Sequence, residues 1–357
     1  MIKKYLLTSI SVCMMAAMLL CGCGSKEEEP VEEEKEEVVL VIEEEEKEEP
    51  VKEKKQYVNP LTGKKSDKKV KAARPLIVSI DNVGSAIPQS WLSKADMVYE
   101  FPVEGKQTRL EAIFYSQFPE EFGPIRSTRP YFVDLTREYK GIFLAHGWSN
   151  EAKNYLRSGV VPYINAMDTD CKFYRVSDKS APHNSYIKWE EVKNKIDEEG
   201  WWKEKQKIRA FKFLEEGEES KGKPVEYIEF DSASHSEFTY DKKNNNYVRT
   251  INDGRDYIDK ETGKSIRVRN VLVQKVKSTV LDGKGRLKID MCAGGEAILF
   301  TNGKRVKGTW SRENLDSRTI FKDNNGNEFK LGVGKTWVMV CDQNTDISYE
   351  VVGEENN

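Results

Sequence analysis

Leu76-Ile77-Val78-Ser79-Ile80-Asp81-Asn82 is a short apolar run that stops on two polar residues, and it reads as a β-strand delivering Asp81 and Asn82 to its end. The next stretch alternates. Met97, Tyr99, Phe101 and Val103 fall on one face, and Val98, Glu100, Pro102 and Glu104 on the other. Thr108 to Phe118 and Gly141 to Ala145 read as further strands. Pro130 to Tyr139 and Glu151 to Ser158 read as helices, the first with a proline tolerated in its opening turn. Residues 187–222 are highly charged and predict a helical outer layer. The span 71–230 is therefore expected to be a mixed α/β domain.

From Asp231 to Val352 nearly everything reads as strand. Ile266 to Val276 alternates, and Ala297 to Phe300 and Arg305 to Trp310 flank Asn302-Gly303, a strong hairpin signal. Asp323 to Asn327 predicts a turn, and Thr336 to Cys341 a closing strand. The expected class is α+β: the mixed first domain, then a β-rich antiparallel domain over 231–352, barrel- or sandwich-like.

The N-terminus has a different character. Lys3 and Lys4 precede an apolar run from Tyr5 to Leu20, and small residues follow. That run falls short of the ~20 residues a membrane helix needs, so residues 1–22 read as a signal peptide. Leu20-Cys21-Gly22-Cys23 resembles a bacterial lipobox, with Cys23 as the lipidated residue; Cys21 would put Leu20 where a small residue is required. The resemblance implies a thioether-linked lipid on Cys23, and two or more acyl chains anchor stably.

Residues 23–70 read as the lipidated start and an open acidic tether. Residues 26–55 hold 15 Glu and 6 Lys, a net −9, and residues 1–25 carry +2 from Lys3 and Lys4; with the whole 357-residue chain at −3, residues 56–357 stand at +4. So weak a basic balance gives no argument for nucleic acid. The expected site is the outer face of the cytoplasmic membrane, with the body extending into the cell wall. Beyond the signal and Cys23, three cysteines remain: Cys171, Cys292 and Cys341. An odd number cannot form a full disulfide framework. Cys292 and Cys341 are free to pair outside the cell, or all three to serve as small hydrophobes.

Motif searches remove several classes. There is no Gly-x-Ser-x-Gly, no His-Glu-x-x-His and, outside the signal, no Cys-x-x-Cys. Gly263-Lys264-Ser265 and Gly334-Lys335-Thr336 lack the upstream glycine of a phosphate loop. Three histidines, at 146, 183 and 235, argue against a multi-histidine metal site, and neither metal nor cofactor is expected. Glu100 and Glu104 on one strand face would stand ~13 Å apart, too far for a glycosidase pair.

Three polar constellations remain. Gly123-Pro124-Ile125-Arg126-Ser127-Thr128-Arg129-Pro130 sets two arginines and two hydroxyls at a helix start, where free N–H groups and forked guanidiniums favour an anion. The alternative is that Arg126 and Arg129 pair internally with Glu100, Glu104 or Asp81. Phe173-Tyr174-Arg175 followed by Lys179 to Asn184 offers Arg175 and Asn184 as ligand contacts and His183 as an acid–base group, or simply a rigid loop. His146-Gly147-Trp148-Ser149 sits at a predicted strand end, with Ser149 a remote candidate nucleophile.

Arg74-Pro75 to Asp81-Asn82, Pro88-Gln89, Ala95 to Glu100, Val103-Glu104-Gly105, Thr108-Arg109, Gly123 to Arg129 and Ala181 to Asn184 follow the pattern of the YerB-like lipoproteins of Gram-positive bacteria. Asn270-Val271, Gly308-Thr309-Trp310, Asn325-Gly326 and Gly334 to Trp337 are similar to that family's C-terminal domain. The resemblance spans residues 70–345. One stretch departs: the family reads His-Ala-Gly-x-Ser, whereas Ala145-His146-Gly147-Trp148-Ser149 displaces the histidine by one. The resemblance implies the anchor and a two-domain α/β-then-β architecture, but no reaction.

The expected function is a non-catalytic envelope factor that binds an anionic wall polymer, a precursor or an envelope enzyme through Arg109, Arg126, Ser127, Arg129, Arg175 and Asn184. The alternative is an envelope hydrolase or transferase on a phosphorylated or acidic glycan, with His183, Asp81 or Glu104 moving the proton.

Overall fold

One long open sheet organises the body. The computed structural model describes residues 56–231, 235–252 and 254–351; the signal, Cys23 and most of the Glu/Lys segment lie outside the described residues. The strands that carry the argument are β1 (Leu76–Asp81), β2 (Met97–Pro102), β3 (Thr108–Phe114), β4 (Ile142–Ala145), β5 (Tyr163–Asn165), β6 (Ser185–Lys188), β7 (Lys223–Phe230), β8 (Ser236–Asp241), β9 (Asn246–Ile251), β10 (Asn270–Val276), β11 (Gly295–Thr301), β12 (Lys304–Ser311) and β13 (Thr336–Asp342). The helices are α1 (Pro130–Glu138), α2 (Asn150–Arg157) and α3 (Trp189–Glu198).

The sheet runs in the order β9-β8-β7-β12-β11-β10-β13-β2-β3-β1-β4-β5. β13 lies parallel to β2, with Thr336 opposite Met97 and Met339 opposite Glu100, so the last long strand is zipped to one of the first. Both faces are covered, which is why β1 is buried along its whole length. Met97, Tyr99 and Phe101 pack with Phe132, Val133 and Leu135 of α1 on one face. Leu76, Val78 and Ile80 join Val192 and Ile196 of α3 on the other.

The expected α+β class is what the structure shows, and the C-terminal strands form no closed barrel. β7 starts against β12 at Lys223 and Pro224, then pairs with Ile347–Val351 on one side, with a register shift between Val225 and Tyr227, and with β8 on the other. The layer it begins folds back over the sheet, setting Phe238 with its ring centre 6.1 Å from that of Trp337. The hairpin at Asn302-Gly303 forms, both residues at positive φ (54° and 67°). A Cβ on Gly303 would also lie 2.4 Å from the Tyr240 ring, so glycine is required there twice over.

The helical expectation for residues 187–222 fails. Of residues 187–222, only Trp189–Glu198 is α-helical. Gly200, at φ 67°, ends the helix, and Trp202 turns in against Trp189 and Phe118. Lys212–Phe213 then pairs with Lys330–Leu331. The later Lys/Glu-rich stretch has helical composition but no apolar stripe to bury, so tertiary pairing decides. Tyr57–Val58 and Lys65–Ser66 pair as a hairpin ahead of β1, with Leu61 fully buried. Cys171, Cys292 and Cys341 are free thiols, Cys341 buried. No helix among the described residues is long and apolar enough to cross a membrane.

Candidate functional site

The polar residues converge at the C-terminal end of β1, where open α/β sheets place their ligands. Loop 123–129 is strapped across that strand end. Asp81 N–H donates to the Pro124 carbonyl, Arg126 N–H to that of Ser79 and His146 N–H to that of Arg126, all at 2.9–3.0 Å. The strap holds Arg126 over Asp81.

Asp81 is almost fully buried, and its Oδ2 lies 2.7 Å from His183 Nδ1 and 3.1 Å from Arg126 Nε. The side chains of His183 and Arg126 remain about a fifth exposed, at 22% and 23%. His183 Nε2 makes no hydrogen bond to a described residue. Opposite Asp81 in the register is Arg109, which donates from Nη1 to the Ser127 carbonyl at 2.5 Å. Burial, and then the neighbouring Arg129 and Arg126, bring the Arg109 guanidinium down to about 10. Arg129 donates from Nε and Nη2 to Glu104 Oε1 at 2.9 and 2.6 Å. Glu104 itself stands in the turn after β2 rather than on the strand face.

His146 lies on the same rim, its Nδ1 2.5 Å from Ser185 Oγ. Burial and then Arg175 and Arg126 lower its pKa. Arg175 donates to Asn184 Oδ1 at 2.7 Å, while Asn184 donates to the carbonyls of Val176 and Lys179 and so clasps its own loop. Ser127 Oγ donates to the His146 carbonyl. Ser149 is the N-cap of α2, accepting from Ala152 N–H, which explains that serine without any chemistry.

The structure adds Glu111, which sequence reading passed over. It is fully buried opposite Ser79. Burial pushes its pKa well above the usual range, opposed only in part by Ser79 and Arg109, so the neutral form is favoured. The signal was a glutamate set among Leu110, Ala112, Ile113 and Phe114. Four guanidiniums, Arg109, Arg126, Arg129 and Arg175, thus meet two carboxylates, Asp81 and Glu104. Arg126 and Arg129 have the internal carboxylates Asp81 and Glu104, and the guanidiniums outnumber those carboxylates.

Glu100 has another role. It is sealed at 0% exposure and accepts from five donors: Asn82, Thr108 and Ser236 on one oxygen, Arg249 and Trp337 on the other, at 2.8–3.2 Å. The Arg249 guanidinium stacks on Tyr257 and Trp337, 3.8 and 4.6 Å from the ring centres. This network locks β2 to β9 and β13. No His, Cys, Asp or Glu group among the described residues could hold a metal ion.

Comparison with known proteins gives consistent findings. Residues 61–202 match the N-terminal domain, and residues 226–338 the C-terminal domain, of the family described as a protein of unknown function, DUF3048. The chain is 37% identical over 286 residues to the putative lipoprotein YerB of Bacillus subtilis (strain 168), covering 79% of this chain and 85% of that one. The crystal structure of the YerB protein from Bacillus subtilis matches with a TM-score of 0.73 at 35% identity, over 82% of this chain and 99% of that one.

Proposed function

This chain belongs to the DUF3048 family, and from that premise we propose that it is a lipid-anchored envelope protein that binds an anionic ligand at the end of β1. The relative named as a lipoprotein supports membrane anchoring. Lipidation at Cys23 and reach into the wall belong to the proposal. The observation that carries it is the surplus of guanidinium over carboxylate at the strand end, where Arg109 is depressed first by burial and then by Arg129 and Arg126. A phosphate or carboxylate settling beside Arg126 and Arg175 relieves that repulsion with forked, charge-assisted hydrogen bonds. The ligand class is an anionic wall polymer or its precursor.

The test is equilibrium binding of purified anionic wall polymer to the wild type and to Arg126→Ala plus Arg175→Ala. The reading expects affinity to fall at least about tenfold in the variant; equal binding refutes it. For the anchor, fatty-acid labelling is expected in the wild type and lost in Cys23→Ala.

The Asp81–His183 pair favours a second reading, turnover of a phosphorylated or acidic glycan. A buried carboxylate on Nδ1 fixes the ring and leaves Nε2 free for proton transfer, beside Arg126 as a charge stabiliser. Substrate loss that disappears in His183→Gln, with binding retained, would favour it over binding alone.

A further inference from the structure

A second basic region lies away from the strand-end cluster and shares no residue with it. The hairpin made by Tyr57–Val58 and Lys65–Ser66 forms one lip of a cleft of about 670 Å³. That lip presents Lys64, Lys65, Lys68, Lys69 and Lys71. Lys335, which follows Gly334 at the start of β13, also lines the cleft. None of these six ammoniums forms an ion pair with a described residue.

Asp96 is the single carboxylate in the lining, and its oxygens are taken. Oδ1 accepts from Asn59 Nδ2 at 2.9 Å and Ser116 Oγ at 2.6 Å; Oδ2 accepts from the N–H groups of Tyr115 and Ser116, both at 2.8 Å. It fastens the lip to the sheet. Asp67 lies outside the lining and is exposed. Burial lowers Lys335 to about 8, with Asp96 opposing and Lys64 and Lys94 adding to the fall. A half-buried ammonium among like charges is costly unless an anion joins it.

We infer that this cleft binds a phosphate-bearing ligand, held by the half-buried Lys335 together with Lys64 and the rest of the lysine lip. Lysines without arginine act as separate point charges, which suits a tetrahedral dianion or a phosphodiester better than a planar carboxylate. The hydroxyls of Thr62 and Ser66 in the lining add short-range donors, and the volume fits a small ligand or headgroup. The same phosphate chemistry comes from a lipid headgroup or from a free phosphate.

Amine acetylation followed by mass spectrometry separates them on the full-length protein expressed with its own signal. One arm adds inorganic phosphate in neutral detergent. The other compares vesicles of phosphatidylcholine with vesicles that also contain phosphatidylglycerol. Acetylation of Lys335 and Lys64 is expected to slow at least about tenfold in one arm, with exposed Lys242 unchanged. Protection by inorganic phosphate assigns a free phosphate; protection only with phosphatidylglycerol assigns a headgroup. Unchanged rates in both arms, or equal slowing of Lys242, overturn the inference. Lys335→Gln is expected to abolish protection of Lys64, and persistence of that protection counts against it. If that variant does not fold, the exposed Lys64→Gln reports the same coupling through Lys335.

Discussion

Arginine meets carboxylate in two places, and the two are built differently. Around Glu100 the charges are matched: one carboxylate meets one guanidinium, with four further donors and two aromatic faces, all closed to solvent. At the end of β1 the count is unmatched, and Arg126 and His183 keep part of their surface in water. A closed and balanced network has no capacity left for a ligand and holds the fold. An open network with surplus charge is stabilised by something brought from outside.

The largest expected effect lies in the closed network. Arg249→Met leaves Glu100 buried without its cation and should cost about 3–5 kcal/mol in urea unfolding. Adding Glu100→Gln should recover much of that loss, because the orphaned charge is gone. Should Arg249→Met alone cost under about 1 kcal/mol, the network is not the lock described. In the open cluster, Arg126→Ala plus Arg175→Ala should cost clearly less than Arg249→Met, since both arginines face solvent in part and His183 stays on Asp81. The comparison breaks if thermal unfolding of that variant falls as far as that of Arg249→Met.

Glu111 gives a smaller effect with a distinct pH signature. Its pKa is higher folded than unfolded, so the native chain binds more protons. Below the ordinary glutamate value of 4.5 both states are protonated and the group is neutral to stability. Above it the unfolded chain ionises first, and stability falls as pH rises toward the folded pKa. Glu111→Gln should therefore stabilise by about 1–2 kcal/mol at pH 8 and by much less at pH 4, read from denaturant midpoints. A gain independent of pH would show that the carboxyl is not held protonated.

How legible these regions were follows from sequence separation. The strand-end cluster was readable because its motifs are compact: Asp81, the run from Gly123 to Arg129, and Ala181 to Asn184 each announce a turn or strand end. The alternation of residues 97–102 also separated the two faces of β2 correctly: Met97, Tyr99 and Phe101 join one core and Val98 the other. What could not be read was the closed network, since Ser236, Arg249 and Trp337 are 136, 149 and 237 positions from Glu100. No local pattern tells a buried partner from a surface arginine. The lysines at 64–71 looked like the end of a charged tether. Only the fold brings Lys335 into the same cleft and shows that the one nearby carboxylate is already occupied. Residues 203–222 misled for the opposite reason: helical composition is local, but its override by pairing with Lys330–Leu331 is not.

Arginine-specific modification by phenylglyoxal, with and without anionic wall polymer, reads both regions at once. The account predicts that Arg126 and Arg175 react in the free protein and are shielded by the polymer, while Arg249 stays inert throughout. Equal reaction of Arg126 and Arg175 with and without polymer would contradict it.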